Sequence, residues 1–380
     1  MKRRIVVLGS TGSVGVQTLD VIRTNPDHFE VLAISARSNA QKLSEQVLTF
    51  RPRYAGIADS SAAYELKASV PDNVCVEAGT EANCVLAGLP EADIVMIGIS
   101  GIQGLPALLS ALQAGKTVAL ANKESIVCGN PLVQEALKKF GGRIIPVDSE
   151  HSAIYQCMQN GKKQEVVSLI LTASGGPFRN YTQAQLALVT PEQAQKHPIW
   201  RMGNKICIDS ATLFNKGLEV IEASFLFGFP NTQISVLIHP QSIVHSMVEY
   251  IDGTVMAQMA VPDMRLAIQY ALGYPNRLPR SIDRLDFAKM ASLTFTNADD
   301  HPAIRLAHDA LSGSDVLPIT YNAANEAAVE MFVQHRIGFL DISRAVEHAM
   351  KKASCALVRS LQDVMQIDRE ARERVADLFG

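Results

Sequence analysis

The chain has 380 residues, 47% of them hydrophobic and 19% charged, a composition typical of a globular protein with two or three domains. Its 35 basic and 38 acidic residues leave a net charge of −3. This balance argues against binding to nucleic acid or to a membrane, and no run is long and apolar enough to span a bilayer. The six cysteines are scattered without a Cys-x-x-Cys pair. We therefore expect a reducing, cytoplasmic location and neither a zinc ribbon nor disulfides.

Residues 1–148 are predicted to form the first domain, because short apolar runs alternate with helical patterns. This alternation is typical of a doubly wound parallel sheet of the Rossmann type. Strands are predicted at residues 5–8, 31–36, 94–99, 117–121 and 143–147, and helices at 14–23 and 105–114.

A glycine-rich segment at residues 9–15, Gly-Ser-Thr-Gly-Ser-Val-Gly, follows the first predicted strand and opens a helix. Glycines here permit a tight turn and let a pyrophosphate approach backbone N–H groups at the helix N-terminus. The spacing is Gly-x-x-Gly-x-x-Gly rather than the commoner Gly-x-Gly-x-x-Gly. We interpret the segment as a dinucleotide site, with an ordinary strand-to-helix turn as the alternative.

The end of the second predicted strand indicates which dinucleotide is bound. Arg37-Ser38-Asn39 stands where an NAD enzyme usually carries an acidic residue for the ribose hydroxyl. Arginine accommodates a 2′-phosphate, so we predict NADP, with Ser38 and Asn39 as further donors and a plain surface arginine as the alternative. Asn122-Lys123-Glu124 closes a later strand and is expected to face the nicotinamide, unless Asn122 only caps a helix.

Asp148 and Glu150 directly follow the predicted strand at 143–147. On an extended chain, side chains two residues apart point the same way, so the two carboxylates are expected to converge. Carboxylates that close repel one another unless a cation or a shared proton intervenes. Hard oxygen ligands favour Mg²⁺ or Mn²⁺ over Zn²⁺, and a solvated acidic turn is the alternative.

Residues 149–273 are predicted to form a central α+β catalytic domain. Its strands are expected at residues 166–172, 234–238, 243–250 and 254–260, the last two joined by a hairpin at Asp252-Gly253. Residues 274–301 are rich in Pro, Asn and Asp and are predicted to be a linker. Residues 302–380 carry apolar residues at helical spacing and are predicted to form a C-terminal helical domain.

A helical segment predicted at 211–227 follows Asp209-Ser210, and either residue could cap it. On this helix, Asn215, Glu219 and Glu222 are spaced four and three residues apart and therefore lie on one face. Lys216 stands three residues before Glu219 and is its neighbour on the helix surface. A lone Lys–Glu pair is usually a surface ion pair. Glu219 could instead supply a third carboxylate to a metal site, while Ser174, Ser210 and Lys216 could hold a phosphate.

Residues 177–203 form a long polar segment between apolar elements and contain the only tryptophan, Trp200. A lone tryptophan is more often a core residue than part of a lid. The neighbouring polar, Gly- and Pro-containing sequence nevertheless favours a flexible lid that excludes water.

Seven short motifs are distributed along the chain. They are residues 9–15, 121–125, 146–151, 174–178, 215–219, 239–242 and 322–327. Together they resemble the 1-deoxy-D-xylulose 5-phosphate reductoisomerase family over essentially the whole chain. The resemblance implies an enzyme that uses NADPH and a divalent metal to convert 1-deoxy-D-xylulose 5-phosphate to 2-C-methyl-D-erythritol 4-phosphate in isoprenoid biosynthesis. It also implies a homodimer.

The resemblance further implies roles for individual residues. NADPH contacts are implied at Thr11, Gly12, Ser13, Val14, Arg37, Ser38, Asn39, Asn122, Glu124 and Gly203. Metal ligation is implied at Asp148, Glu150 and Glu219, with Mg²⁺ or Mn²⁺ as the expected ion and Co²⁺ as a further option. Substrate contacts are implied at Lys123, Ser149, Glu150, Ser174, His197, Trp200, Met202, Ser210, Asn215, Lys216 and Glu219. The catalytic set is Lys123, Asp148, Glu150 and Glu219.

Two other functions are compatible with the motifs. One is another NADP-dependent dehydrogenase of the semialdehyde or homoserine type, which needs no metal and would keep its activity in a chelator. The other is a non-catalytic NADP sensor, in which the carboxylates and Lys123 would be idle in a single-turnover assay.

Overall fold

The computed structural model describes residues 1–196, 203–279, 282–290 and 292–380, with the backbone alone at residue 204. The strands are β1 Arg3–Leu8, β2 Phe29–Ala36, β3 Tyr54–Ile57, β4 Cys75–Ala78, β5 Ile94–Ile97, β6 Thr117–Leu120, β7 Arg143–Pro146, β8 Val166–Ala173, β9 Ile234–Ile238, β10 Val244–Tyr250, β11 Val255–Met259 and β12 Thr296–Asn297. The helices are α1 Ser13–Thr24, α2 Ala40–Phe50, α3 Ala63–Ser69, α4 Ala82–Ala87, α5 Leu105–Gln113, α6 Lys123–Phe140, α7 Ser149–Cys157, α8 Gln183–Leu186, α9 Pro191–Ala194, α10 Asn204–Ala211, α11 Phe214–Phe227, α12 Met264–Gly273, α13 Pro302–Ser312, α14 Val316–Val333, α15 Asp341–Lys351 and α16 Leu361–Phe379.

The chain divides into two compact units. Unit 1 consists of Met1–Ser125, Leu132–Ser152 and Asp263–Asp283, and unit 2 consists of Ile126–Pro131, Ala153–Pro262 and Arg284–Gly380. Among the described residues, no helix combines the length and the apolar composition needed to cross a bilayer.

Unit 1 contains a seven-stranded sheet in the order β4-β3-β2-β1-β5-β6-β7, with every neighbouring pair parallel. The residues of β1 from Ile5 to Leu8 are fully buried, which explains their uninterrupted apolar sequence. Strand order reverses between β1 and β5, so the loops that follow these two strands border the crevice where doubly wound sheets bind ligands. The predicted doubly wound fold is confirmed.

The segment Asp263–Asp283 belongs to unit 1, whereas the sequence analysis divided it between a catalytic domain and a linker. Its helix α12 is held by Arg265, whose Nη1 lies 2.9 Å from Asp20 Oδ2 on α1. Arg3 Nη1 also donates to the carbonyl oxygens of Leu272 and Tyr274, both at 2.8 Å. These partners lie more than 240 residues away in sequence, so no local pattern could reveal them.

Unit 2 contains a five-stranded sheet in the order β11-β10-β8-β9-β12, in which only β8 and β9 run parallel. The predicted hairpin joins β10 to β11, and Gly253 adopts a φ of 82° that favours glycine. Strand β12 pairs with β9, so Thr296 and Asn297 of the predicted linker belong to this sheet. The C-terminal part of unit 2 is helical, as predicted.

The helix predicted at 211–227 is interrupted. Helices α10 and α11 are separated at Leu213, which has a left-handed φ of 59°. Asp209 and Ser210 consequently lie inside α10 and cap neither helix. Helix α11 then packs closely on α13 and α14 at Gly217, where an added Cβ would lie 1.9 Å from Tyr321 Oη and 2.9 Å from the Ala303 carbonyl oxygen.

Candidate active site

The glycine-rich loop of unit 1 is shaped by close backbone packing. Gly9 has a φ of 81°, and Gly12 N donates to the Gly9 carbonyl oxygen at 3.0 Å before α1 begins. A Cβ on Gly15 would lie 2.3 Å from Gly9 O and 2.4 Å from Ser10 Cα, so only glycine fits. The start of α1 therefore sits directly against the end of β1, which leaves the helix N-terminus accessible for a pyrophosphate.

Side-chain hydroxyl and amide groups of neighbouring elements form hydrogen bonds with the glycine-rich loop. Ser10 Oγ donates to Gln46 Oε1 at 2.6 Å, and Gly9 N donates to Ser35 Oγ at 3.2 Å. Ser10 and Ser35 are both buried. The sequence analysis missed Ser35 and Gln46, because their partners lie on separate elements and they carry no local motif.

Arg37, Ser38 and Asn39 are exposed at the end of β2, where the adenosine end of a dinucleotide was predicted. Asn39 also has a structural role, because its Oδ1 accepts a hydrogen bond from Lys42 N at 2.9 Å and caps α2.

Asn122 caps α6, as the alternative interpretation held. Its Oδ1 accepts from Ser125 N at 2.9 Å, and its Nδ2 donates to Gly101 O and to Glu124 Oε2, both at 2.9 Å. The amide is thus used within the protein, and its bond to Gly101 ties the loop after β5 to the end of β6. A cofactor contact at Asn122 would involve its backbone.

Asp148 and Glu150 come together, but through a different geometry from the one predicted. Helix α7 begins at Ser149, so Glu150 lies in a first helical turn rather than on an extended chain. An oxygen of each carboxylate still lies within 4.8 Å of the other. Lys123 Nζ lies 2.5 Å from Asp148 Oδ2, and buried His151 places its Nδ1 3.9 Å from the same oxygen. Asp148 is therefore paired with a lysine in a cluster that is largely shielded from solvent, and it is not part of a solvated turn.

In unit 2, the polar face of α11 is buried. Lys216 is 3% exposed and Glu219 1% exposed, and Lys216 Nζ contacts Glu219 Oε2. Asn215 Nδ2 donates to the other Glu219 oxygen at 2.5 Å. The spacing prediction is confirmed, and the alternative of a surface ion pair is wrong. Burial lowers the pKa of neighbouring His245 to about 4, and the charge of Lys216 adds to that effect.

The loop that begins at Ser174 packs against the backbone of Ser210 within unit 2. Ser174 follows β8, and its Oγ accepts from Gly176 N at 3.3 Å. Gly176 has a φ of 65°, and a Cβ there would lie 2.9 Å from Ser210 O. The loop after β8 therefore packs on the end of α10, the helix that carries Ser210.

Asp209, which had no predicted role beyond capping, joins α10 to the C-terminal helices. It is buried, its Oδ1 accepts from Asn325 Nδ2 at 2.8 Å, and Lys205 Nζ lies 2.9 Å from its Oδ2. Glu326, next to Asn325 on α14, pairs with Arg372 on α16. The motif at 322–327 thus holds the helix that carries Ser210.

Three predicted substrate residues, His197, Trp200 and Met202, lie outside the described residues, and exposed Gly203 precedes α10. The described part of the predicted lid is anchored in unit 2. Phe178 packs its ring 5.5 Å from that of Phe339, and Ala194 is fully buried.

A doubly wound sheet with a glycine-rich loop, and lysine–carboxylate clusters beside helix N-termini, define a dinucleotide-binding α/β enzyme. Family models described as 1-deoxy-D-xylulose 5-phosphate reductoisomerase, its C-terminal domain, and DXP reductoisomerase C-terminal domain match residues 5–130, 144–227 and 259–374. The chain belongs to the 1-deoxy-D-xylulose 5-phosphate reductoisomerase family, which confirms the resemblance found in the motifs.

Individual relatives are similar over their full length. The reductoisomerase of Pelotomaculum thermopropionicum is 46% identical over 100% of both chains, and that of Chlorobium phaeobacteroides 47% identical over 99% of both. The solved Zymomonas mobilis enzyme in complex with NADPH is 44% identical, with a TM-score of 0.94 over 100% of this chain and 99% of that one. A reductoisomerase complex with NADPH, fosmidomycin and magnesium is 36% identical, with a TM-score of 0.92 over 99% and 98% of the two chains.

Proposed function

We propose that this protein converts 1-deoxy-D-xylulose 5-phosphate to 2-C-methyl-D-erythritol 4-phosphate, using NADPH and a divalent metal ion, in isoprenoid biosynthesis. The observation that carries the proposal is full-length similarity to reductoisomerases at 44–47% identity. Solved relatives are complexes with NADPH and with magnesium. Family membership favours this function over a semialdehyde or homoserine type of dehydrogenase and over a non-catalytic sensor.

The residues of unit 1 fit NADPH. Gly15 packs so closely on the backbone of Gly9 and Ser10 that the start of α1 lies directly against the glycine-rich loop, as a pyrophosphate site requires. We assign the pyrophosphate to the loop from Thr11 to Val14, including Gly12 and Ser13. The 2′-phosphate end is assigned to Arg37, Ser38 and Asn39. The nicotinamide end is assigned to Asn122 and Glu124 of unit 1 and to Gly203 of unit 2.

The carboxylates proposed as metal ligands are Asp148, Glu150 and Glu219, and their oxygens suit Mg²⁺ or Mn²⁺. Within unit 1 Asp148 is balanced by Lys123, and within unit 2 Glu219 is balanced by Lys216. A bound cation would provide the opposing charge for these carboxylates. Each lysine ammonium could then donate to substrate oxygens, which is consistent with assigning both lysines to substrate binding.

The substrate phosphate is assigned to Ser174, Ser210, Asn215 and Lys216, which offer hydroxyl, amide and ammonium donors within unit 2. Ser149 and Lys123 are assigned to the sugar. His197, Trp200 and Met202 are proposed to cover the substrate and exclude water. When bound, the metal supplies a Lewis acid for the sugar oxygens, and NADPH supplies the hydride.

The decisive assay follows NADPH absorbance with 1-deoxy-D-xylulose 5-phosphate as substrate. We expect consumption with Mg²⁺ or Mn²⁺, none in excess chelator, and recovery when the metal is restored. Consumption that persists in the chelator would favour a metal-free dehydrogenase. Failure of a single turnover in the presence of metal, with NADPH bound, would favour a sensor.

We further propose a cytoplasmic homodimer. Val167, Ile251 and Val255 in and beside the β10–β11 region are exposed apolar residues, and β11 is the edge strand of its sheet. A second copy would cover them. Light scattering should give twice the chain mass of 41.2 kDa at micromolar concentration. A monomer mass would refute the dimer, and recovery of the protein in a membrane fraction would refute the location.

A further inference from the structure

Lys42, the third residue of α2, is held in place at both its backbone and its side chain. Its N–H donates to Asn39 Oδ1 at 2.9 Å, and its ammonium donates to the carbonyl oxygen of Thr11 at 2.8 Å. Lys42 therefore connects the segment after β2 with the glycine-rich loop after β1. These two segments were assigned to the two phosphate-bearing parts of NADPH on independent grounds.

The charge of Lys42 is not neutralised by the protein. Its known side-chain partner is a neutral carbonyl, and within the described ranges no carboxylate oxygen lies within 4.0 Å of its Nζ. An ammonium has three donors, and one is used on Thr11. A half-buried lysine fixed against a carbonyl loses side-chain entropy, which an exposed, solvated lysine would keep.

Few acidic residues stand near Lys42 in the sequence, and the nearest of them is the exposed Glu45, three residues further along α2. Residues 9–15 contain no charged side chain, and the first turns of α1 and α2 contain no acidic residue. Arg37 is exposed three residues before the start of α2. Hydrogen bonds from Ser61 lower the pKa of exposed Asp59, and the charge of Arg37 lowers it to a smaller degree. Arg37 and Lys42 therefore supply two cations around the start of α2, where Lys42 contacts a loop without charged side chains, an arrangement suited to a dianionic phosphate.

We propose that Lys42 is a further specificity-determining residue, which binds the 2′-phosphate of NADPH together with Arg37. Its bond to Thr11 then links recognition of that phosphate to the position of the glycine-rich loop. The inference rests on the proposed use of NADPH and adds a residue that the motif-based assignment did not include.

The test compares cofactors that differ only in the 2′-phosphate. Lys42→Met keeps the aliphatic stem and the helix propensity but removes the charge. Binding of NADPH and NADH to the full chain, without substrate or metal, is measured by fluorescence titration. We expect the NADPH Kd to rise by about tenfold or more and the NADH Kd to change by less than about twofold. Adenosine 2′,5′-bisphosphate should lose affinity in parallel with NADPH.

Three further variants test whether the effect of Lys42→Met comes from its charge and its position. Arg37→Ala should likewise weaken the binding of NADPH more than that of NADH. Lys42→Arg should retain most of the preference for NADPH over NADH, because it keeps the positive charge. Lys67→Met, at an exposed position of α3, is the matched control and should bind both cofactors as the wild type does. Thermal melting of each variant verifies that it is folded.

Three results would overturn the inference. Equal weakening of NADPH and NADH by Lys42→Met would mean that Lys42 only holds the loop. Unchanged binding of both would mean that it has no role in the site. Failure of the wild type itself to bind NADPH would instead refute the proposed function, and this inference with it.

Discussion

Asp148→Asn should lower turnover by about a thousandfold or more, while the NADPH Kd stays within about twofold of the wild type. The substitution keeps the shape of the side chain but removes the charge that Lys123 and the proposed metal ion share. A positioned Lewis acid supplies several kcal/mol of stabilisation, which an amide cannot recruit. Turnover across a Mg²⁺ titration and NADPH fluorescence provide the two measurements.

Asp72→Asn is a suitable control for that result, because Asp72 is exposed in the same unit and makes no contact with the cluster. It should leave both quantities unchanged. Wild-type turnover in Asp148→Asn would rule out Asp148 as a metal ligand, and so would full activity of the wild type in excess chelator.

Gly15→Ala should weaken NADPH binding by roughly ten- to a hundredfold, because overpacking of this kind costs about 1–3 kcal/mol. The added Cβ would lie 2.3 Å from Gly9 O, 2.4 Å from Ser10 Cα and 2.7 Å from Ser10 C. All three atoms are backbone, so the loop itself must move and no side chain can rotate away. NADPH titration and thermal melting measure the effect on the cofactor and on the fold.

Gly98→Ala offers a graded comparison for Gly15→Ala. Gly98 borders the same crevice, but the nearest atom to its added Cβ is 3.4 Å away, an ordinary contact. It should melt closer to the wild type than Gly15→Ala does. If Gly15→Ala bound NADPH as tightly as the wild type, the loop would not be the pyrophosphate cradle.

Features with a local signal could be predicted from the sequence. Strand β1, the glycine-rich turn after it and the hairpin at Gly253 each depend on neighbouring residues, and all three are found in the structure. The polar face of α11 followed from helical spacing alone. Its burial did not, because the elements that cover Lys216 and Glu219 are distant in sequence.

Features that depend on distant partners or on the exact start of a helix were missed. The sequence suggested an extended chain at Asp148–Glu150, since nothing in the apolar run indicates that α7 starts at Ser149. Asn325 belongs to the motif at 322–327, but the sequence did not indicate its role, which is to donate a hydrogen bond to Asp209. Lys42 belongs to none of the predicted motifs, because only the fold brings it to Thr11.

Unit 1 is completed by the segment Asp263–Asp283, which is synthesised long after the rest of that unit. A chain emerging from the ribosome releases all seven strands of the parallel sheet before residue 150, yet the helix that covers α1 is made only after the stretch between Ser152 and Asp263. Domains tend to fold as units, and the N-terminal parts of a chain are synthesised first. The parallel sheet and α1 therefore remain without α12 while most of unit 2 is synthesised. For the same reason, an excised fragment ending at residue 148 would lack Arg265, which pairs with Asp20, and a stable cofactor-binding module would have to be assembled from two separate stretches of the gene.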